Sequence, residues 1–269
     1  FLKLVEALSD HSLFDVQTLL GTGNGHEAER ETTQVGIDAT LCVRNVAPAC
    51  FLRERFKALQ SVTLFSATLS PADYAIQLLG LPEDTAWIDV PPAFPAEHLT
   101  VRVAQDISTR FVHRERSLEP LVEVIAGQFD AHPGNYLAFF SSFDYLDKAA
   151  QRLAERRPDI PQWRQERRMS ALARGDFLAR FKPEGQGVGF AVLGGVFSEG
   201  VDLPGSMLIG AFIATLGLPP VSITQDHIQA RLDKLFGTGH GYADTVPAMQ
   251  RVVQAAGRVL RTPQDRGWL

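Results

Sequence analysis

Gln254-Ala255-Ala256-Gly257-Arg258-Val259-Leu260-Arg261 places an amide and two guanidiniums at spacings of four and three residues. On a helix, positions i, i+4 and i+7 share one face, so the spacing predicts that Gln254, Arg258 and Arg261 project together. Two arginines and an amide so placed can clamp phosphoryl oxygens through charge-assisted hydrogen bonds. The competing reading is a surface helix with ordinary ion pairs. Gly257 costs such a helix roughly 1 kcal/mol against Ala, which implies close packing against a neighbour.

Three further clusters fall where strand-like runs end. Gly194-Gly195-Val196-Phe197-Ser198-Glu199-Gly200-Val201-Asp202-Leu203-Pro204-Gly205 joins two apolar strands through a loop with four glycines and two carboxylates, Glu199 and Asp202. Glycine permits close backbone approach and positive φ. Carboxylates in a tight loop cost energy unless they have partners. Phe65-Ser66-Ala67-Thr68-Leu69-Ser70-Pro71 sets the Ser66 and Thr68 hydroxyls before a helix start, where they can bond a phosphate or a neighbouring loop. Phe139-Phe140-Ser141-Ser142-Phe143-Asp144-Tyr145 runs a buried strand into Ser141, Ser142 and the ring of Tyr145. Those groups suit a nucleic-acid backbone and base, or equally a helix cap and a core aromatic.

The elements that must position these clusters alternate. Short apolar strands are expected at 39–43, 62–65, 99–103, 136–140, 188–193 and 207–213. Helices are expected at 50–60 (Phe51, Leu52, Phe56 and Leu59 inward), 71–79, 118–129, 145–156, 171–181, 223–235 and 248–260. Such alternation predicts an α/β fold with a mainly parallel sheet covered by helices on both faces and its function at the strands' carboxyl ends. Residues 1–20 carry a helical apolar pattern, and Gly21-Thr22-Gly23-Asn24-Gly25 begins a polar connector. The chain thus divides at 1–36, the end of a preceding domain or insertion, and 37–269, the main domain.

Composition narrows the classes. Of 269 residues, 45% are hydrophobic and 21% charged, ordinary for a globular protein. No run approaches the ~20 apolar residues that span a bilayer, and no secretory signal is present, so a cytoplasmic protein without membrane contact is expected. Two cysteines, Cys42 and Cys50, are too few for a disulfide framework or a four-thiolate site, and no metal site is expected. The net charge of −5 argues against nucleic-acid binding over the whole surface, but the arginines at 110–116 and 164–174 leave room for a local basic strip.

A nucleotide-hydrolysing core needs Gly-x-x-x-x-Gly-Lys-Ser/Thr and an acidic Mg²⁺ site, and the sequence reads as having neither. The simplest account is two lobes, of which this chain is one. Taken in order, the four clusters resemble motifs III, IV, V and VI of superfamily 2 helicases in the form used by the DinG/XPD group. Ser66-Ala67-Thr68-Leu69-Ser70-Pro71 is similar to motif III, Ser198 to Gly205 to motif V, and Gln254 to Arg261 to motif VI. The resemblance covers roughly residues 37–266 and is most specific in motifs V and VI together.

That resemblance implies the C-terminal motor lobe of an ATP-dependent DNA helicase moving 5′-to-3′ on single-stranded DNA. ATP and Mg²⁺ would sit mainly on the N-terminal lobe of the same protein, outside this chain, which alone would be inactive. An iron–sulfur cluster in the parent protein is left open. Arg258 and Arg261 would reach the γ-phosphate and Gln254 would position the nucleotide or its attacking water. Glu199, Gly200 and Asp202 would couple nucleotide state to DNA, Ser66 and Thr68 would link the lobes, and Ser141, Ser142 and Tyr145 would lie near the DNA. The rival readings are a non-catalytic RecA-like nucleic-acid-binding module and a small-molecule α/β enzyme using the 194–205 loop. DNA repair is the expected setting.

Overall fold

The structure is a computed structural model and describes residues 5–6, 9–19, 38–91, 94–198 and 200–269. In chain order its elements are β1 (Ser12–Leu19), β2 (Asp38–Asn45), α1 (Ala49–Lys57), α2 (Ala72–Leu79), β3 (Leu99–Thr100), α3 (Arg114–Ala131), β4 (Asn135–Phe140), α4 (Phe143–Arg156), β5 (Gln162–Arg164), α5 (Ala171–Leu178), β6 (Gly187–Val192), β7 (Gly210–Ile213), α6 (Ile223–Phe236), α7 (Val246–Ala256) and β8 (Gly267–Trp268). Contacts divide the chain into two units: residues 1–65, 69–87 and 220–244, and residues 66–68, 88–219 and 245–269.

In the first unit β1 and β2 form an antiparallel pair from Ser12↔Asn45 to Leu19↔Asp38. Asp10 ties this end to α6 through Arg231 (3.1 Å) and Lys234 (2.9 Å). Gly80 ends α2 at φ +68°, and a Cβ there would lie 2.7 Å from the Ala49 carbonyl oxygen, so the close approach of α1 and α2 requires glycine.

The second unit is a six-stranded sheet in the order β3-β8-β7-β4-β6-β5, with every pairing parallel. All six residues of its central strand β4 are buried. Side chains alternate between the faces of a strand. Tyr136, Ala138 and Phe140 accordingly join the core beneath α3 and α4, with Leu118, Ile125 and Leu146. Leu137 and Phe139 join the opposite core with Phe181, Leu208, Ala255 and Val259. A strand covered on both faces must be apolar throughout, which is why Tyr136-Leu137-Ala138-Phe139-Phe140 does not alternate with polar residues. Ser142 caps α4 by accepting from the Tyr145 N–H at 3.3 Å.

The parallel α/β fold is as expected, but several elements differ. The helix expected over residues 1–20 is not found: residues 12–19 are β1, and among the described residues before it only 5–6 are helical. Exposure alternates along Leu13-Phe14-Asp15-Val16 as in a strand, and the ladder to β2 overrides the helical spacing. The strand at 39–43 extends to 38–45 and pairs with β1, outside the parallel sheet. Val62–Phe65 makes no strand, and its side chains are exposed, Phe65 at 90%. Phe51 and Leu59, expected inward, are exposed at 39% and 58%. The strand expected at 99–103 shortens to Leu99–Thr100, and that at 207–213 starts at Gly210, after a 3-10 turn. The connector at 21–34 lies outside the described residues.

Phe139 has 0% exposure at the centre of this arrangement. Phe139→Ala should destabilise the second unit by about 3–5 kcal/mol through lost burial and a residual cavity, read as a shift in urea-unfolding midpoint at unchanged slope.

Candidate functional site

At the carboxyl end of β6 the chain enters the glycine-rich loop. Gly194 takes φ +77° and Gly200 φ +68°, both in the left-handed region. The Ser198 hydroxyl, 3% exposed, closes the turn: it accepts from the Gly194 N–H at 2.8 Å and donates to the Val192 carbonyl at 3.3 Å. Phe197 stacks on Phe177 at 4.1 Å, and Val201 and Leu203 are buried, so three apolar residues pin the loop to the core. Gln165 accepts from the Val192 N–H at 2.9 Å and holds the strand end from the β5 side.

Arg258 and Arg261 meet this loop. Arg258 donates to the Ser198 carbonyl through Nε (3.2 Å) and Nη2 (3.0 Å), and to the Val201 carbonyl through Nη1 (3.1 Å). Arg261 reaches the same Val201 carbonyl through Nη2 at 3.0 Å and lies 3.5 Å from the exposed carboxylate of Asp202. The expected single helical face is corrected. The helix α7 ends at Ala256, and Arg258 and Val259 follow in tighter turns that bond back to Ala255 and Ala256. Gly257 follows the last residue of α7, and a Cβ there would approach only the Val253 and Gln254 carbonyls (3.3 and 3.7 Å), so among the described residues the expected packing against a neighbour is not found. The arginines converge nonetheless, because both aim at loop carbonyls.

Asp265 brackets the segment beyond them. It accepts from the N–H groups of Arg261 and Thr262, each at 2.8 Å, and from the Thr262 hydroxyl at 2.5 Å. Burial alone would raise its pKa, but the Thr262 hydroxyl and the Arg261, Thr262 and Gly205 N–H groups outweigh this and hold it below the usual value.

Ser66 and Thr68 sit against the other end of the site. The Thr68 N–H donates to Ser66 Oγ at 3.2 Å, Gln250 donates to the Thr68 carbonyl at 2.6 Å, and Gln254 Nε2 lies 3.5 Å from Thr68 Oγ1. The structure thus brings together Ser66, Thr68, Gln254, Arg258, Arg261, Gly200 and Asp202. Glu199 lies outside the described residues. Ser141, Ser142 and Tyr145 stand apart at the start of α4. Tyr145 is 1% exposed, so its ring is core, and burial pushes its phenol pKa up. Sequence reasoning missed Gln165, Gln250, Ser198's turn-closing role and Asp265. Gln250 was findable, one helical turn before Gln254 on α7; Asp265 carries no such signal.

The donors here are guanidiniums and amides, which fit phosphate oxygens. Among the described residues no cluster of three His, Cys, Asp or Glu side chains could hold a metal ion. No helix among them is long and apolar enough to cross a membrane.

The helicase C-terminal domain family matches residues 125–269, more than half of the chain, and the chain belongs to that family. Its fold, a mainly parallel RecA-like α/β sheet, matches that of solved XPD structures. A Methanocaldococcus jannaschii protein named as a probable ATP-dependent helicase is 29% identical over 170 residues, 57% of this chain and 25% of that protein. Two solved XPD structures, one named as an XPD helicase and one as an apo form, are 18% identical. Their TM-scores are 0.65 and 0.66, over 85% of this chain and 41% and 48% of theirs. The Xpd4 structure of S. tokodaii gives a TM-score of 0.50 at 17% identity, over 70% of this chain and 38% of its own. The chain spans a quarter to about half the length of these relatives.

Asp265 yields a pH test. Its pKa is lowered on folding, so its ionisation stabilises the fold fully above the unfolded value of ~3.9 and loses that effect as pH falls through the folded value. The gap in urea midpoint between the wild type and Asp265→Asn should be constant near neutrality and shrink below about pH 4.

Proposed function

We propose that this chain is the C-terminal motor lobe of an ATP-dependent DNA helicase that moves 5′-to-3′ along a single strand. Residues 37–269 make the lobe, and residues 1–36 end a preceding domain or insertion. The observation that carries the reading is the convergence of Arg258 and Arg261 on the carbonyls of the 198–201 loop, beside Gln254 and Thr68. Such a clasp ties a phosphate-sensing pair of arginines to a loop that can touch a nucleic acid.

The bonding divides the labour. Arg258 makes three hydrogen bonds to the loop and is the coupling residue. Arg261 makes one hydrogen bond and an ion pair with exposed Asp202, and is the residue free to swing to a phosphate. Gln254 positions the nucleotide or water, and Glu199 and Gly200 relay the change. Bound ATP with Mg²⁺ supplies the phosphoryl group whose charge these donors stabilise; the metal and most of the nucleotide belong to the N-terminal lobe. Apolar side chains left exposed at Phe51, Leu59 and Phe65 support a further lobe packing on the first unit.

A non-catalytic nucleic-acid-binding module is the second reading. It is favoured by the same three bonds of Arg258, which read equally as a structural staple. The test is DNA-stimulated ATP hydrolysis by this chain and by the longer protein carrying it. The half-motor reading expects silence from the chain and stimulation in the longer protein. There Arg261→Ala should lower kcat on the order of 10³-fold with DNA affinity nearly unchanged. Hydrolysis by the chain alone, or near-normal kcat in Arg261→Ala, refutes it; silence from both proteins selects the binding module.

A further inference from the structure

The segment before α3 presents an aromatic tip that the motor reading does not use. Phe111 and Val112 are 79% and 81% exposed, yet the turn bearing them is tightly held. Ser117 donates to the Ser108 carbonyl at 2.6 Å and to the His113 carbonyl at 3.0 Å. Ser108 Oγ pairs with His113 Nδ1 at 2.9 Å, and Arg114 Nε donates to the Thr109 carbonyl at 3.3 Å. Exposing a ring on a rigid turn gains nothing for folding.

Arginines surround this tip. The Arg114 guanidinium lies between two rings, 5.3 Å from Phe111 and 5.1 Å from Tyr145. On the other side of the α4 start, Arg167 stacks on Phe143 at 4.8 Å. The two therefore flank the capped N-terminus of α4. Phe143 and Arg167 also line a cavity of about 670 Å³ with Trp163 and Arg164. Along α4 and just past its end, Lys148, Arg152, Arg156 and Arg157 are each paired with a carboxylate. Arg110, Arg114, Arg116 and Arg167 have no carboxylate partner among the described residues. Arg114 and Arg167 are thus cations left unneutralised beside aromatic rings in a chain of net charge −5. At the same helix start, Ser141 Oγ and Tyr145 Oη are buried without a hydrogen-bond partner among the described residues.

We infer that Phe111, Arg114 and Arg167 form a single-stranded DNA grip around the start of α4, a base stacking on Phe111 and phosphates bonding the two guanidiniums. This rests on the proposed nucleic-acid role of the lobe and names the residues that carry it. Base–aromatic stacking tolerates any sequence, and the arginines add an affinity that falls with salt.

The test is fluorescence anisotropy of a labelled oligothymidylate bound to the full-length protein without nucleotide, across a salt series. Circular dichroism checks the fold of each variant. Phe111→Ala should weaken binding about 5- to 150-fold, the range for one lost stack, with the salt slope unchanged. Phe111→Tyr should bind like wild type. Arg167→Gln should reduce the slope of log K against log salt by about 0.7, one single-strand phosphate contact. Wild-type affinity and slope in both Phe111→Ala and Arg167→Gln, or no binding by wild type, overturns the grip. The motor reading fails separately: DNA-stimulated hydrolysis beside unaffected variants sinks the grip alone, and its absence beside weakened variants sinks the motor alone.

Discussion

The site depends on the need of buried backbone carbonyls for donors. The loop after β6 has no regular structure, so no ladder satisfies the Ser198 and Val201 oxygens, and an unpaired buried carbonyl is costly. Two guanidiniums from the end of α7 supply those donors. Because the donors are charged, the bonds are stronger than amide bonds and also movable, since the same fork fits a phosphate. One chemical group thereby stabilises the loop and, in the proposed function, is what links it to a phosphate. Asp265, fixing the backbone of residues 261 and 262, keeps the second arginine in range.

The sheet supplies the rigidity against which that exchange can act. Its central strand is buried on both faces, and the loop hangs from the neighbouring strand through Phe197, Val201 and Leu203. The two helices above β4 are cross-linked by ion pairs from Lys148, Arg152 and Arg156 to Glu115 and Glu119. Exposed pairs of this kind add little stability singly, but they neutralise the flank of α4.

Much of this was legible in the sequence. Continuous apolar runs at 136–140 and 188–193 gave the parallel sheet, and the spacing of Gln254, Arg258 and Arg261 singled out the segment, though not the bonds that bring the arginines together. The helix ending at Ala256 was not legible, because periodicity cannot reveal that Arg258 bonds loop carbonyls instead of sharing a helical face. Residues 12–19 were misread because short apolar segments satisfy both periods, and only the partner strand β2 decides between them. Val62–Phe65 has strand composition without a strand, since a β-ladder needs an edge to pair with.

The sheet order has a consequence for synthesis. Two residues of β8 sit between β3 and β7, with the Trp268 N–H donating to the Ile209 carbonyl and the Arg102 N–H to the Leu269 carbonyl. A nascent chain halted before residue 267 has β4, β6 and β7 within reach of one another but leaves β3 with no neighbour. Assembly on the ribosome is thus vectorial for most of the sheet, and the last gap closes by a pairing distant in sequence. β3 waits without a neighbour until then, which leaves it open to a chaperone or a protease.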